Sequence, residues 1–233
     1  MSAPRVLVTG GGRGIGRATA LRFAREGSRV VVAARTSAQL DEVAAECDAA
    51  GGAGLAANLN VADHGSIEAA IWRAQEFLGG AIDVLVNNAG VFNLKPFGKC
   101  KPADLSYQLD VNLSGAILVT MESMDYLEEA DHPHVINIAS VAAKQGFPGS
   151  AIYCATKAGL RGFSDGLRED LAGDGFRVTT IYPPAVNTTI WDGIEGDFDP
   201  SARIEPEVVA DAIYDAWAAG ESYPRDVDVP GGK

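Results

Sequence analysis

Residues 5–16 read RVLVTGGGRGIG, and how this stretch is read decides the fold. Arg5 to Thr9 is a short apolar, β-branched run of the kind that forms a buried strand. After it come Gly10, Gly11, Gly12, Gly14 and Gly16, and then Ala18, Leu21, Phe23 and Ala24 at helical spacing. Strand, glycine turn and helix follow in order. Glycines let the backbone turn tightly and approach a ligand, while the free N–H groups at a helix start attract phosphate. The spacing is T-G-x-x-x-G-x-G, which differs from the commoner G-x-G-x-x-G.

Working outward, Arg29–Ala34 (RVVVAA) is a second strand, apolar enough to be buried on both faces of a parallel sheet. In such sheets a carboxylate after this strand suits the ribose hydroxyl of NAD, and an arginine suits the 2′-phosphate of NADP. Here Ala34 is followed by Arg35, and Arg13 lies in the glycine turn, so NADP(H) is expected in preference to NAD(H). Ser37 to Ala50 is helical, with Leu40, Val43, Ala44 and Cys47 on one stripe, and a third strand ends in Asn58-Leu59-Asn60-Val61. Ser66 to Leu78 is amphipathic, with Ser66 as the expected N-cap. Asp83 to Val86 is a strand that runs into Asn87-Asn88-Ala89-Gly90, a polar pair and a small pair where open sheets bind ligands. Ala103 to Glu129 reads as one long helix, and Asn112 in its middle is a residue that kinks helices or holds water. Val135 to Ile138 is the fifth strand, Arg177 to Ile181 the sixth, and Val227 to Val229 a short last one. Strands and helices alternate with short connections, so we expect one α/β domain over residues 1–233, with a doubly wound parallel sheet and helices on both faces.

Chemistry is expected in SVAAKQGFPGSAIYCATK, residues 140–157. Tyr153 and Lys157 are four apart and share a helix face, which would put an ammonium beside a phenol and lower its pKa. Such a phenol exchanges a proton with a substrate oxygen, and the Ser140 hydroxyl could hold that oxygen in place. Residues 189–205 interrupt the alternation with Trp191, Gly193, Gly196, Phe198 and Pro200 among acidic residues. They read as a substrate lid or as a surface loop whose apolar side chains pack down.

These pieces together resemble the short-chain dehydrogenase/reductase family over nearly the whole chain. Thr9-Gly10, Gly14 and Gly16 match its glycine motif, Asn87-Asn88-Ala89-Gly90 its sheet motif, and Asn112, Ser140, Tyr153 and Lys157 its catalytic tetrad in order and spacing. The resemblance implies a Rossmann-type fold and hydride transfer between nicotinamide and a carbonyl or secondary alcohol. It makes Tyr153 the general acid/base, Ser140 the group that polarises the oxygen, Lys157 the cation that lowers the tyrosine pKa and binds ribose, and Asn112 the holder of a relay water. Cofactor contacts implied are Gly10, Arg13, Gly14, Ile15 and Gly16 in the turn, Arg35 after the second strand, and Asn60 and Val61 beside adenine. Asn88, Ala89 and Gly90 follow at the sheet edge, with Tyr153, Lys157, Pro183, Val186 and Thr188 on the nicotinamide side. Pro183-Pro184 stands where the family usually has Pro-Gly, which removes an N–H beside the nicotinamide. The family also implies a homodimer or homotetramer.

Composition narrows the alternatives. The chain has 233 residues, 47% hydrophobic and 21% charged, and a net charge of −12, which argues against nucleic acid and anionic membrane as partners. Cys47, Cys100 and Cys154 are odd in number and scattered, so reduced thiols in a cytoplasmic protein are expected. His64, His132 and His134 suggest no metal site, and His132-Pro133-His134 reads as a surface turn. Phe92, Phe147 and Trp191 fall near the expected pocket mouth and hint at an apolar or aromatic small-molecule substrate, though core packing explains them equally well. Two other functions fit the same residues: a non-catalytic NADP-binding regulatory protein, and a β-ketoacyl-carrier-protein reductase, which should show a basic patch near the entrance.

Overall fold

The structure is a computed structural model that describes residues 3–194 and 200–231. Seven parallel strands are β1 (Arg5–Thr9), β2 (Arg29–Ala34), β3 (Ala53–Asn58), β4 (Val84–Asn87), β5 (His134–Ile138), β6 (Arg177–Tyr182) and β7 (Asp226–Asp228). Their order across the sheet is β3-β2-β1-β4-β5-β6-β7. The helices are α1 (Gly14–Ala24), α2 (Ser37–Ala49), α3 (His64–Leu78), α4 (Pro102–Leu109), α5 (Gly115–Glu128), α6 (Ala151–Asp170) and α7 (Pro206–Ala218).

Alternation along each strand sends successive side chains to opposite faces, so the sheet needs an apolar layer on both. Val6 and Val8 of β1 pack with α1, α2 and α7, through Phe23, Val43, Ile213 and Trp217. Leu7 faces the other way, toward Ile67, Ile71 and Ala74 of α3 and Val119 and Leu127 of α5. Val209, Ile213, Ala216 and Trp217 of α7 are buried, and Phe23 meets Trp217 edge-on at 5.7 Å. The strand order reverses between β1 and β4, which opens a crevice beyond their carboxyl ends.

Four sequence expectations change. The third strand stops at Asn58, and Asn60-Val61 turns away from it because the Asn60 amide donates to Ser66 Oγ at 2.9 Å instead of pairing with β2. Ser66 is therefore not the N-cap; Asp63 is, accepting from the Ser66 amide at 3.0 Å. The long helix predicted around Asn112 is broken, since a π-helical turn at Asp110–Ser114 separates α4 from α5. His134 is no surface turn but a fully buried start of β5, its Nε2 2.9 Å from Thr179 Oγ1. Burial holds that imidazole neutral, well below the ordinary histidine range. Among the described residues no helix is long and apolar enough to cross a membrane.

Candidate active site

The carboxyl ends of β1, β2, β4, β5 and β6 open onto one cavity of about 930 Å³. That is at the upper end of the roughly 300–1,000 Å³ usual for ligand sites.

At one end lies the glycine turn. Gly10 and Gly14 have φ of 65° and 53°, where a side chain would be strained, and a Cβ on Gly14 would sit 3.0 Å from the Thr188 methyl. Arg13, at the N-cap of α1, makes no side-chain cap bond, and the first turn of that helix carries no acid. The helix start is thus left for an anion from outside. Arg13 and Arg35 both line this end, both are exposed, and neither has a carboxylate partner among the described residues. Thr36 and Gln39, which the sequence reading passed over, line it too. A glycine cradle, an uncapped helix and two uncommitted guanidiniums fit a phosphorylated dinucleotide. Gly16 is the exception among the expected contacts. It does not line the cavity; a Cβ there would fall 2.3 Å from the Gly10 carbonyl oxygen, so its role is to let α1 pack against the turn.

The middle of the cavity is bordered by Asn60, Val61, Asn88, Ala89 and Gly90. Asn60 uses its Oδ1 to accept from the Ala62 amide at 3.2 Å, which leaves its Nδ2 group. Asn88 is largely committed to the fold: its Nδ2 donates to the Thr9 carbonyl at 2.9 Å. Thr9 Oγ1 in turn accepts from the amides of Asn88 and Ala89, both at 3.0 Å. Thr9 therefore ties the end of β1 to the end of β4 and sets the cavity floor. Its place directly before Gly10 in the glycine motif is the sequence signal for this role.

The far end holds Ser140, Tyr153 and Lys157. Ser140 leaves β5 extended and accepts from the Ala142 amide at 3.1 Å. The next amide, Val141, donates to the Pro183 carbonyl at 3.0 Å, so the serine loop is fixed to the double proline after β6. Proline restricts the residue before it, and Pro184 thereby sets the direction of that carbonyl. Lys157 is buried; its Nζ donates to the Ile138 carbonyl at 2.8 Å and lies 5.9 Å from the Tyr153 ring centre. Asn112 stands behind this group and does not line the cavity. It grips Val91 from both sides, accepting from its amide at 2.7 Å and donating to its carbonyl at 2.9 Å, with a third bond to Thr156 Oγ1 at 3.2 Å.

The expected electrostatics are not those of this site. Lys157 was to pull the tyrosine pKa down, but burial pushes the Tyr153 phenol up to about 12, and the hydrogen bond from Ser140 offsets only part of that. Burial also lowers Lys157, to about 8. At the ammonium's distance its attraction for a phenolate is outweighed by the desolvation of both groups.

Around this end Phe92 packs edge-on to Tyr153 at 4.7 Å and to Trp191 at 5.4 Å, and the Trp191 Nε1 donates to the Val186 carbonyl at 2.8 Å. Phe147 lines the same end and is exposed, as Phe92 and Trp191 are in part. The 189–205 segment starts and ends in a pinch: Val186 pairs with Ile204, and the Asn187 amide donates to the Ile204 carbonyl at 2.8 Å. Residues 195–199 of that expected lid, with Gly196 and Phe198, lie outside the described residues.

Sequence spacing also missed a grouping on the outside. His64, Glu68 and Glu122 come together from α3 and α5, with His64 Nε2 2.8 Å from Glu122 Oε1. It is an exposed His–carboxylate contact between α3 and α5, and none of its three residues lines the cavity.

A sequence model described as short chain dehydrogenase matches residues 4–197. A 3-oxoacyl-[acyl-carrier-protein] reductase from Synechocystis is 37% identical over 91% of this chain and 88% of its own length. An NADP-dependent 3-hydroxy acid dehydrogenase, YdfG, from Salmonella typhi is 34% identical over 96% of this chain and 91% of its own. The crystal structure of a 3-ketoacyl-(acyl-carrier-protein) reductase from Brucella melitensis complexed with NADH superposes with a TM-score of 0.88 at 28% identity, covering 96% of this chain and 95% of that one. The glycine cradle, the Ser140-Tyr153-Lys157 end and these full-length likenesses agree, and the chain belongs to the short-chain dehydrogenase/reductase family of oxidoreductases.

Proposed function

We propose that the protein is an NADP(H)-dependent carbonyl reductase in which Tyr153 is the proton donor, residues 1–233 form one catalytic unit, and residues 189–205 form its lid. The observation that carries this reading is the layout of one cavity. Two arginines without carboxylate partners among the described residues stand at one end, and a phenol hydrogen-bonded to Ser140 stands at the other. The 2′-phosphate of NADP is the group that distinguishes it from NAD, and Arg13 and Arg35 beside the open helix start support that choice. The NADP dependence in the name of the Salmonella relative supports the same preference, while the Brucella structure was obtained with NADH.

When bound, the reduced nicotinamide supplies a hydride for the carbonyl carbon. Tyr153 gives the proton to the carbonyl oxygen, and Ser140 donates a hydrogen bond to that oxygen as negative charge grows on it. A phenol held up at about 12 is protonated throughout the neutral range, the form that reduction needs. Lys157, as the buried cation next to it, stabilises the phenolate left behind and has two N–H groups to offer a ribose. Asn112 acts at one remove, fixing Val91 and Thr156 and so the wall between Gly90 and α6. A homo-oligomer in the cytoplasm is part of the proposal.

A β-ketoacyl thioester reductase is the second reading, favoured by the Synechocystis relative. The exposed Lys99 and Lys101, on the loop that follows Leu94 at the cavity rim, are the cations a carrier protein would meet.

The test follows NADPH and NADH oxidation across ketones, aldehydes, quinones and β-ketoacyl thioesters. Turnover with NADPH that falls about 10²- to 10⁴-fold in Tyr153→Phe is expected, the usual worth of a positioned proton donor. Tight NADPH binding with no turnover of any carbonyl would instead favour a regulatory protein, and faster turnover with NADH would reverse the role given to Arg13 and Arg35.

A further inference from the structure

We infer that the substrate half of the cavity takes a carbonyl compound without an ionised group near the reacting carbon, and that Gln145 is its specificity-determining polar contact. The inference rests on the reductase reading above and names the substrate class of that same site.

Among the described residues the cavity is lined by only three charged side chains, Arg13, Arg35 and Lys157. The first two stand at the phosphate end, and the third is buried behind Tyr153 with its Nζ on the Ile138 carbonyl. The rest of the Tyr153 end is Phe92, Leu94, Val141, Phe147, Ile190 and Trp191, joined by small residues and prolines. Three more cations adjoin this wall in the chain or in space, and each is already engaged. Lys95, after Leu94, holds Asp104 at 2.8 Å. Lys144, before Gln145, holds Asp228 at 2.5 Å. Arg203 stacks on the Trp191 ring at 4.6 Å.

An anionic substrate placed here would lose its hydration and find no counter-charge, which disfavours it strongly. An uncharged aryl or alkyl ketone would exchange water for aromatic walls, a favourable transfer. Polar groups at this end are few once internal bonds are counted. Ser150 Oγ is taken up by the Phe147 amide and carbonyl at 3.2 and 2.6 Å. Gln145 has its backbone amide on the Val141 carbonyl, while its side-chain amide has no protein partner among the described residues. It can donate to, or accept from, a second neutral polar group on the substrate, such as an ester or another carbonyl.

Two ester–acid pairs separate this inference from the reading beneath it: methyl benzoylformate with benzoylformate, and ethyl pyruvate with pyruvate. Each member differs from its partner in charge next to the same ketone. The reduction is balanced within the pair, with hydride from NADPH to the ketone carbon and a proton from Tyr153 to its oxygen. We expect kcat/KM for each ester to exceed that of its acid by about a hundredfold or more, the scale of an unpaired buried charge. Gln145→Arg should narrow that ratio at least tenfold by raising turnover of the acids. Calorimetry should show methyl mandelate, the product ester, binding the NADP⁺-loaded protein more tightly than mandelate. Equal or faster turnover of the acids by the wild-type protein would overturn the inference and leave the reductase intact. So would an unchanged ratio in Gln145→Arg as regards Gln145. If no member of either pair is consumed while another carbonyl is reduced with dependence on Tyr153, the inference falls and the reductase stands. If no carbonyl at all is reduced, both fall.

Discussion

Helix α6 buries two cations at its two ends, and they are treated in opposite ways. Arg168, at the C-terminal end, is 8% exposed, and nearly every donor is used. Its Nε reaches the Val178 carbonyl at 3.0 Å, Nη1 reaches Asp165 at 2.6 Å, and Nη2 reaches Thr180 Oγ1 at 2.8 Å and also the Arg225 carbonyl. Lys157, near the N-terminal end, is 5% exposed and has one bond, to Ile138. Burial has accordingly lowered its pKa to about 8, whereas Arg168 ties α6 to β6 and to the start of β7. A buried charge with its partners supplied by the protein is structural. One left short of partners beside a cavity is a candidate for binding something that is not part of the chain.

The comparison predicts unequal consequences for stability. Arg168→Met keeps the apolar stem but removes the donors to the Thr180 hydroxyl and the Val178 carbonyl, while the Arg225 carbonyl keeps the Thr180 amide at 2.9 Å, and should cost about 3 kcal/mol in urea unfolding. A loss under 1 kcal/mol would mean that these bonds are not what holds the C-terminal edge of the sheet. Lys157→Met removes a charge that the fold disfavours, and should leave stability unchanged or raise it by roughly 1–2 kcal/mol at pH 7 while abolishing reduction. A marked destabilisation would place Lys157 with Arg168 as a structural cation.

The pH dependence sharpens the same point. Lys157 titrates near 8 in the native protein and at an ordinary 10.5 when unfolded, so between those values the unfolded chain binds one more proton. Stability then rises with pH across that window, by about 1.4 kcal/mol per unit for this group, and the full penalty is present below it. Tyr153 acts oppositely: with a native value of about 12 against 10.0, its native state keeps a proton the unfolded one loses, and stability falls from pH 10 upward. Subtracting the unfolding curves of Lys157→Met from those of the wild type isolates the lysine slope; a flat difference from pH 8 to 10 would show that Lys157 is not penalised by burial.

Arg35 completes the series as an exposed cation with no side-chain partner among the described residues, and is predicted to have the smallest effect on folding. Arg35→Ala should change stability by less than about 0.5 kcal/mol, as exposed substitutions do. It should raise KM for NADPH about tenfold with little change for NADH, the loss of one charge-assisted contact. An equal rise for both cofactors would remove Arg35 from the phosphate site.

Much of this was legible in the chain. The glycine turn between Thr9 and Ile15, the second strand with Arg35 after it, and the four-residue spacing of Tyr153 and Lys157 are local patterns, and local geometry places them as read. Asn112 was legible as a helix disruption, which it is, but not as the clamp on Val91, because that partner comes from a loop 21 residues away. Gly16 carries the family's motif faithfully, yet the atom its missing side chain would meet is the Gly10 carbonyl oxygen, a packing contact that the motif does not announce. His134 looked like a turn beside a proline because nothing nearby in sequence announces that β6 and Tyr223 cover it.

The sequence by itself determined the order of strands and helices, the family, and which side chains share a face, since periodicity and steric rules act over a few residues. Only the tertiary structure decided the sign of the Tyr153 shift, the sparse partnering of Lys157 and the lack of charge, among the described residues, on the wall around Gln145. Desolvation and pairing are sums over groups brought together from β5, β6, α6 and the loops after them, and no spacing along the chain records that sum.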